Sequence, residues 1–200
     1  DWLVRMGRRG GPRAMREVDE RLAGAIWKRT GTSDYTLDVD ATVIEAEKKE
    51  AKMTYKGRPG YQPQLGYLAE DGLCLTHEFR AGNVPAQSGA LRFLRRCRRV
   101  CPRIKRLRSD SAFYQAKVVN WCEAQGIGFT ITADQVAGVK EVIKTVRDWQ
   151  RLHDEEGQPT DREVGTTVHL MDRAEHPFRL VVQRGRDPQL KLFEPNGYCY

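Results

Sequence analysis

The stretch TSDYTLDVDATVIEA, residues 32–46, carries the alternation that decides the fold. Its apolar residues recur at every second position, which is the period of a β-strand with one buried face. The pattern predicts a strand with Leu37, Val39, Ala41 and Val43 on one face and Asp38, Asp40, Thr42 and Ile44 on the other. Two carboxylates, those of Asp38 and Asp40, therefore share one face of this strand.

The segments that follow this strand alternate between strand and helix patterns. The run LGYLAEDGLCLTHEFR, residues 65–80, predicts a hairpin that turns at Glu70-Asp71-Gly72. Then come a helical period over 85–101, a strand over 104–109 that ends before Asp110, a helix, the strand GFTITAD and a last helix over 136–149. The order β, β, β, α, β, α, β, α predicts an α/β fold, a ribonuclease-H-like mixed sheet with flanking helices, in which the first and fourth strands lie side by side and parallel.

The two ends of the chain have a different composition. Residues 1–16 hold five arginines around Gly10, Gly11 and Pro12, which predicts a flexible basic arm, and a short helix is expected from Val18 to Lys28. Beyond residue 160 the β patterns VGTTVHLM, FRLVVQR and QLKLF indicate an inserted β-rich subdomain. We expect residues 1–30 to be the arm and a helical remnant, 31–155 the first part of the core, and 156–200 the incomplete start of the β-rich insertion.

The charge balance favours a polyanionic partner. Lys and Arg number 34 against 27 Asp and Glu in 200 residues, which gives a net charge of +7 and a pI near 9.3, and nucleic acid is the leading candidate. No run approaches the roughly 18 apolar residues of a membrane-spanning helix, and no signal-peptide pattern is present, so a soluble, cytoplasmic protein is expected. The five cysteines include no CxxC pair, which disfavours zinc and predicts that any metal is held by oxygen.

Asp40 and Asp110 are the acidic residues that this topology brings together. An Asp within an apolar strand is costly unless it is paired or binds a cation, and two adjacent carboxylates repel each other. A divalent ion resolves both problems, and Mg²⁺ (or Mn²⁺) prefers oxygen ligands. Two such ions about 3.5–4 Å apart would activate an attacking oxygen and stabilise the leaving oxygen in an in-line displacement at phosphorus.

Four stretches resemble, in order, the DDE-type (group 1) transposases of bacterial insertion sequences, over roughly residues 30–200. They are LDVDATVIEA, TYKGRPGYQPQLGYLAEDGL, RAGNVPAQSGALRFLRRC and RLRSDSAFYQAKVVNWCEAQGIGFTITAD. The similar branch carries a β-rich insertion between its second Asp and its final Glu.

The resemblance implies a DNA transposase that cleaves at the ends of an element and joins the freed 3′-hydroxyl to target DNA, as a homodimer on paired ends of duplex DNA. Asp40 in the D-x-T motif matches the first catalytic, metal-binding Asp, and Asp110 in R-x-D-S-A-F-Y matches the second. The third acid, a Glu in a helix, has no match, since Glu194 lies in a Phe-Glu-Pro context. The chain is therefore expected to be a fragment that is inactive alone.

Each assignment has an alternative. Asp38 faces the same way as Asp40 and is the other candidate ligand, and Asp110 precedes a helix as an ordinary N-cap does. Nine basic residues and no acid lie between Leu91 and Ser109, where a solvated helix face competes with DNA binding. The residues assigned to DNA are Arg95, Arg96, Arg99, Arg106 and Arg108, together with Lys56, Arg58 and Tyr61 from a glycine-rich loop that turn chemistry alone would also explain.

Two other functions compete with a transposase. A truncated relic would bind DNA without cutting it, and the missing third acid favours that interpretation. A ribonuclease-H-like nuclease or resolvase would share the metal chemistry without the order of the motifs.

Overall fold

The computed structural model describes residues 10–186 and 198–199, and it divides the chain into two compact units between Ala133 and Asp134. In chain order, the first unit contains α1 (Gly11–Trp27), β1 (Tyr35–Ala41), β2 (Ile44–Glu45), β3 (Lys52–Met53), β4 (Pro59–Tyr61), β5 (Gln64–Leu68), β6 (Leu73–Glu78), α2 (Ala90–Val100), β7 (Ile104–Ser109), a 3₁₀ turn (Ser111–Phe113), α3 (Ala116–Ala124) and β8 (Gly128–Ile131). The second contains α4 (Ala137–Ile143), β9 (Gln150–His153), β10 (Pro159–His169), β11 (Phe178–Arg186) and β12 (Tyr198–Cys199).

The first unit is built on a five-stranded mixed sheet with the order β6-β5-β1-β7-β8. The strand β1 pairs antiparallel with β5 and parallel with β7, and β7 pairs parallel with β8. The first and fourth strands of this sheet are therefore neighbours and parallel, as the order of the elements predicted. The ribonuclease-H-like fold class is confirmed by this topology.

The core of the first unit follows from the two periodicities in the sequence. Alternation in β1 buries Tyr35, Leu37 and Val39, while the helical period of α2 buries Phe93 and Cys97. Helices α1 and α2 both contact β6, which covers an edge of the sheet. The indole N–H of Trp27 donates to the Val100 carbonyl at 3.0 Å, so the end of α1 is attached to the end of α2.

Helix α1 begins at Gly11, well before the predicted Val18. Gly10 has a φ of 78° at the N-cap and Pro12 lies in the first turn, where proline is favoured because its missing N–H would have no helical partner. The prediction of a flexible arm is therefore wrong for residues 11–16, which are helical. Residues 1–9 of the predicted arm lie outside the described residues.

The second unit contains a four-stranded antiparallel sheet of order β12-β11-β10-β9. The predicted helix over 136–149 ends at Ile143, and β structure returns at Gln150, earlier than the predicted residue 160. Gly165 explains the difference, because a Cβ at that position would meet Val146 and the ring of Trp149. These two apolar residues cover β10 and do not continue the helix.

The segment between β1 and β5, which the sequence pattern presents as a loop, contains a small sheet of order β2-β4-β3. Its strands are only two or three residues long, too short for alternation to reveal them. In the described part of the chain, no helix has the length and apolarity that crossing a bilayer requires.

A substitution at Gly66 provides a test of the packing between the sheet and α2. A Cβ at Gly66 would lie 3.0 Å from the Cys97 sulfur and 3.3 Å from the Phe93 ring, so Gly66→Ala should lower the free energy of unfolding by about 1–3 kcal/mol through overpacking. The control is Gly128→Ala in β8, whose Cβ would find its nearest neighbour at 3.8 Å and should change stability by under about 0.5 kcal/mol. Urea unfolding measures both variants, and equal stabilities would contradict this packing.

Candidate active site

Asp40 and Asp110 lie where two parallel neighbouring strands end. Asp40 is the penultimate residue of β1, and Asp110 follows the last residue of β7. The register pairs Val39 with Ser109, so Asp40 and Asp110 are each one residue further along their strands. The parallel pairing thus brings the two carboxylates to the same edge of the sheet, as the sequence predicted.

Both residues line one small pocket of about 220 Å³. Its lining consists of Asp38, Val39, Asp40, Tyr67, Arg108, Ser109 and Asp110. Asp40 and Asp110 are exposed, whereas Val39 forms part of the buried core beneath them. The pocket is therefore an open, acidic depression with an apolar floor.

Local hydrogen bonds orient the two carboxylates. Asp40 accepts from the Ala41 N–H at 2.7 Å and from the Thr42 hydroxyl at 3.2 Å, which gives the D-x-T spacing a physical role. Asp110 accepts from the Ala112 N–H at 3.1 Å and caps the 3₁₀ turn. Asp110 therefore caps this turn, whereas the N-cap position of the predicted helix, α3, is Gln115. The cap is compatible with metal binding because a carboxylate has about four acceptor positions.

Asp38 is held differently from Asp40. Arg108 donates from both Nε, at 2.7 Å, and a terminal nitrogen to the two Asp38 oxygens. The hydrogen bonds that Arg108 donates to Asp38, followed by the negative charge of Asp38, raise the pKa of Arg108. Asp38 is thus neutralised within the pocket, and Arg108 is occupied by a carboxylate in the structure, where the sequence assigned it to DNA.

Tyr67 is a pocket residue that the sequence analysis did not single out. It pairs with Asp38 across β1 and β5, and burial, followed by the charge of Cys74, raises the pKa of its hydroxyl. The phenol therefore stays protonated at neutral pH and is a hydrogen-bond donor at the rim of the acidic depression. The sequence pattern placed Tyr67 in a strand but held no signal that this strand pairs with β1 opposite Asp38.

The donor set of the pocket suits a hard divalent cation. Asp40 and Asp110 offer oxygen ligands only, and ions such as Mg²⁺ commonly use one or two protein carboxylates and complete their shell with water and phosphate oxygens. Among residues 10–186 and 198–199, no group of three or more His, Cys, Asp or Glu side chains could enclose a metal ion. The pocket thus fits an ion shared with a substrate, and it does not form a cage.

Besides Arg108, four of the basic residues assigned to DNA lie on α2 and β7. Arg95 and Arg99 are exposed on α2, although Arg99 lines a cleft that also contains Glu17 and Glu20. Arg96 is bound to Glu78 at 3.1 Å, with both side chains largely buried. Arg106 contacts Glu70 at 3.3 Å. The helical residues do not line the acidic pocket.

The three remaining assigned residues belong to the small sheet. Lys56 is exposed at the turn between β3 and β4, and Arg58 contacts Glu45 at 3.3 Å. The ring of Tyr61 packs against Phe79 with their centroids 4.7 Å apart. The sequence assigned Tyr61 to DNA, but it passed over Tyr55, which is far more exposed.

A family model described as "Transposase DDE domain group 1" matches residues 3–189 of the chain. With the ribonuclease-H-like sheet and two acidic residues at adjoining strand ends, this match defines the class as metal-dependent enzymes that rearrange DNA. The chain belongs to the transposase DDE domain group 1 family. No curated protein is significantly similar to it.

Solved structures of integrases and a transposase are partly similar to the chain. The catalytic core domain of HTLV-2 integrase in complex with magnesium, in a dimeric form, is 12% identical with a TM-score of 0.38, over 59% of this chain and 71% of that one. The intasome of simian T-cell lymphotropic virus is 15% identical with a TM-score of 0.39, over 58% of this chain and 41% of that one. The piggyBac transposase in a synaptic complex with hairpin DNA is 10% identical with a TM-score of 0.42, over 68% of this chain and 30% of that one. The fold class rests on the sheet order of the chain itself.

The contact between Glu70 and β1 tests the charge arrangement beside the pocket. Partial burial raises the pKa of Glu70, but hydrogen bonds from Thr36 and Arg106 outweigh it and lower that pKa below its ordinary value. A lowered pKa stabilises the fold above the ordinary value near 4.3, and this contribution is lost as the pH falls through the lowered value.

Glu70→Gln should therefore reduce the free energy of unfolding at pH 7 by less than about 1 kcal/mol. The difference from the unsubstituted chain should shrink as the pH falls below about 4. Urea titrations at several pH values measure it, with the exposed Glu47→Gln as a control. If the free energy of unfolding differs between Glu70→Gln and the unsubstituted chain by the same amount at pH 7 and below about pH 4, the charge of Glu70 is not involved.

Proposed function

We propose that Asp40 and Asp110 together hold Mg²⁺ or Mn²⁺, and that the chain supplies this part of the catalytic site of a transposase that performs strand cleavage and strand transfer at the ends of a mobile element. The observation that carries the proposal is the meeting of two exposed carboxylates at the ends of adjacent parallel strands, within one pocket of about 220 Å³. A bound divalent ion supplies charge stabilisation and an activated oxygen for in-line displacement at phosphorus. The proposed place of action is the cytoplasm, with the protein bound to DNA in the nucleoid.

The residues around the pocket have distinct roles in this proposal. Thr42 and the N–H groups of Ala41 and Ala112 fix the orientations of the two carboxylates. Arg108 keeps Asp38 neutralised, which leaves Asp40 as the charged ligand of β1. When a phosphate approaches, Arg108 is close enough to exchange part of its contact with Asp38 for the incoming anion.

The partners we propose are duplex DNA, as element ends and target, and a second copy of the chain on paired ends. DNA binding and pairing of two copies are in line with the similar structures, since one is a dimeric integrase core and another is a transposase synaptic complex with hairpin DNA. Of the residues that the sequence assigned to DNA, Arg95, Arg99 and Lys56 are exposed cations that could contact phosphates.

A third acidic residue completes the two-ion chemistry in the family that the sequence resembles. In the described residues the third carboxylate of the pocket is Asp38, which Arg108 neutralises. This observation favours, as the second candidate, a chain that binds DNA and metal without cutting. We therefore expect residues 1–200 alone to bind the ion weakly and not to cleave.

Metal binding provides a direct test of the proposed site. Asp40→Asn and Asp110→Asn should each weaken Mn²⁺ binding at least about tenfold, because the amide removes the charge that attracts the ion. In EDTA the same variants should be as stable as the unsubstituted chain or more so, because a repulsion between carboxylates is removed. Water-proton relaxation measures Mn²⁺ binding, and thermal unfolding measures stability.

The matched control is Asp34→Asn, an exposed carboxylate just before β1 at the opposite end of the strand. It should bind Mn²⁺ as the unsubstituted chain does. In any longer protein that joins this chain to a third acid, cleavage of element-end DNA should be lost in both site variants while gel shifts persist. Cleavage that survives Asp40→Asn and Asp110→Asn would reject the proposal, and loss with Asp38→Asn alone would move the ligand to Asp38.

The assigned arginines should separate in a DNA-binding titration. Arg95→Ala and Arg99→Ala should weaken binding to all duplex sequences and reduce the slope of log affinity against log salt by up to about one each. Arg96→Ala should instead lower stability, because it leaves the largely buried Glu78 with less compensation. Fluorescence anisotropy at several salt concentrations and thermal unfolding distinguish these effects. Equal salt slopes for all variants would show that α2 does not face DNA.

A further inference from the structure

The small sheet between β1 and β5 presents an exposed apolar and aromatic surface. Tyr55 is 74% exposed, Met53 59%, Phe79 56% and Ile44 49%. Ile44 is paired with Tyr61 and Met53 with Pro59, so Ile44, Met53 and Tyr61 lie on one face of the sheet. Phe79 packs against Tyr61, and Tyr55 follows Met53 by two residues at the outer turn. We call the surface formed by Ile44, Met53, Tyr55, Tyr61 and Phe79 the platform.

The platform is held rigidly from behind. Thr54, between Met53 and Tyr55, is buried and bonds to the Arg58 carbonyl through both its N–H and its hydroxyl. The Gly82 N–H donates to the Gly60 carbonyl, and a Cβ on Gly82 would meet the backbone of Lys52. The backbone that carries Met53 and Tyr55 is therefore anchored from the buried side of the small sheet.

Arg80 fixes the segment on which the small sheet rests. Its buried guanidinium donates to the carbonyls of Gln62 at 2.9 Å, Ala86 at 3.2 Å and Ser88 at 3.1 Å. These bonds join Gln62, between β4 and β5, to the segment that leads into α2. The backbone beside the small sheet is therefore held by buried hydrogen bonds.

Charges of both signs border the platform. Glu45 is paired with Arg58 at 3.3 Å, while Lys52 and Lys56 are exposed and the Lys56 ammonium lies 5.9 Å from the centre of the Tyr55 ring. An exposed ring with a cation beside it complements a polyanion that also offers flat apolar surfaces. The bases of a nucleic acid have this character only when they leave the duplex, since a paired helix presents mainly phosphates and groove edges.

The platform lies on the same edge as the acidic pocket. Ile44 follows Asp40 by only four residues, and the Thr42 N–H donates to the Pro63 carbonyl at 3.1 Å, where the chain returns to β5. We infer that the platform binds unpaired bases of the DNA strand whose backbone enters the pocket, with Tyr55 as the principal stacking side chain. This inference rests on the proposed function for the identity of that strand.

The test compares binding of the 200-residue chain to a blunt duplex and to the same duplex with a short unpaired stretch that contains 2-aminopurine. The unpaired stretch should tighten binding about tenfold, within the range for one stacked base, and should quench the 2-aminopurine fluorescence. Tyr55→Ala should abolish both effects without changing binding to the blunt duplex, and Tyr55→Phe should retain them. Met53→Ala should weaken the preference, whereas Met15→Ala, a methionine of similar exposure on α1, should leave it unchanged.

Three results would overturn the inference. They are equal affinity of the unsubstituted chain for the two DNAs, a preference that survives Tyr55→Ala, and self-association in sedimentation that Tyr55→Ala disrupts, which would assign the platform to a second copy. Mn²⁺ binding at Asp40 and Asp110 is measured separately. If the base preference is found without metal binding, the proposed catalytic function fails and the platform stands; the reverse result removes the platform alone.

Discussion

The parallel pairing of β1 with β7 is the contact on which the site depends. Neither strand alone supplies both of the carboxylates proposed to bind the ion, since Asp38 on β1 is paired with Arg108 and Asp110 follows β7. Only the register that places Val39 opposite Ser109 brings Asp40 beside Asp110. Slippage by one residue would turn a carboxylate toward the core and Leu37 or Val39 toward solvent, so hydrophobic burial enforces the geometry of the site.

The sequence predicted those parts of the fold that rest on long, regular patterns. The order of the strand and helix patterns was sufficient to predict that the first and fourth strands are parallel neighbours, and hence that Asp40 and Asp110 lie close to each other. The small sheet was missed because its strands are held by backbone hydrogen bonds between two- and three-residue segments, which leave no periodic trace. The early start of α1 was missed because glycine and proline are also helix-initiating residues when glycine adopts a left-handed conformation before the first turn.

The charges could be counted from the sequence but not located. Arg96, Arg106 and Arg108 look equivalent in a run of nine basic residues, yet each meets a carboxylate from a distant segment, Glu78, Glu70 and Asp38 respectively. Such partners are set by tertiary contacts that a one-dimensional pattern does not contain. The net charge of +7 is therefore carried outward by fewer cations than the sequence suggests, and much of the positive charge near the sheet stabilises the domain.

Gly60 and Gly82 have an evolutionary consequence. A Cβ at Gly60 would meet the Ile44 carbonyl and one at Gly82 the Lys52 carbonyl, so any side chain at either position pushes strands of the small sheet apart. Gly57, at the outer turn, has space for a Cβ but adopts a φ of 73°, which side chains disfavour. Substitutions are therefore tolerated more readily at the exposed positions 55 and 56 than at the three glycines, and variation in this sheet is expected to concentrate at those two positions.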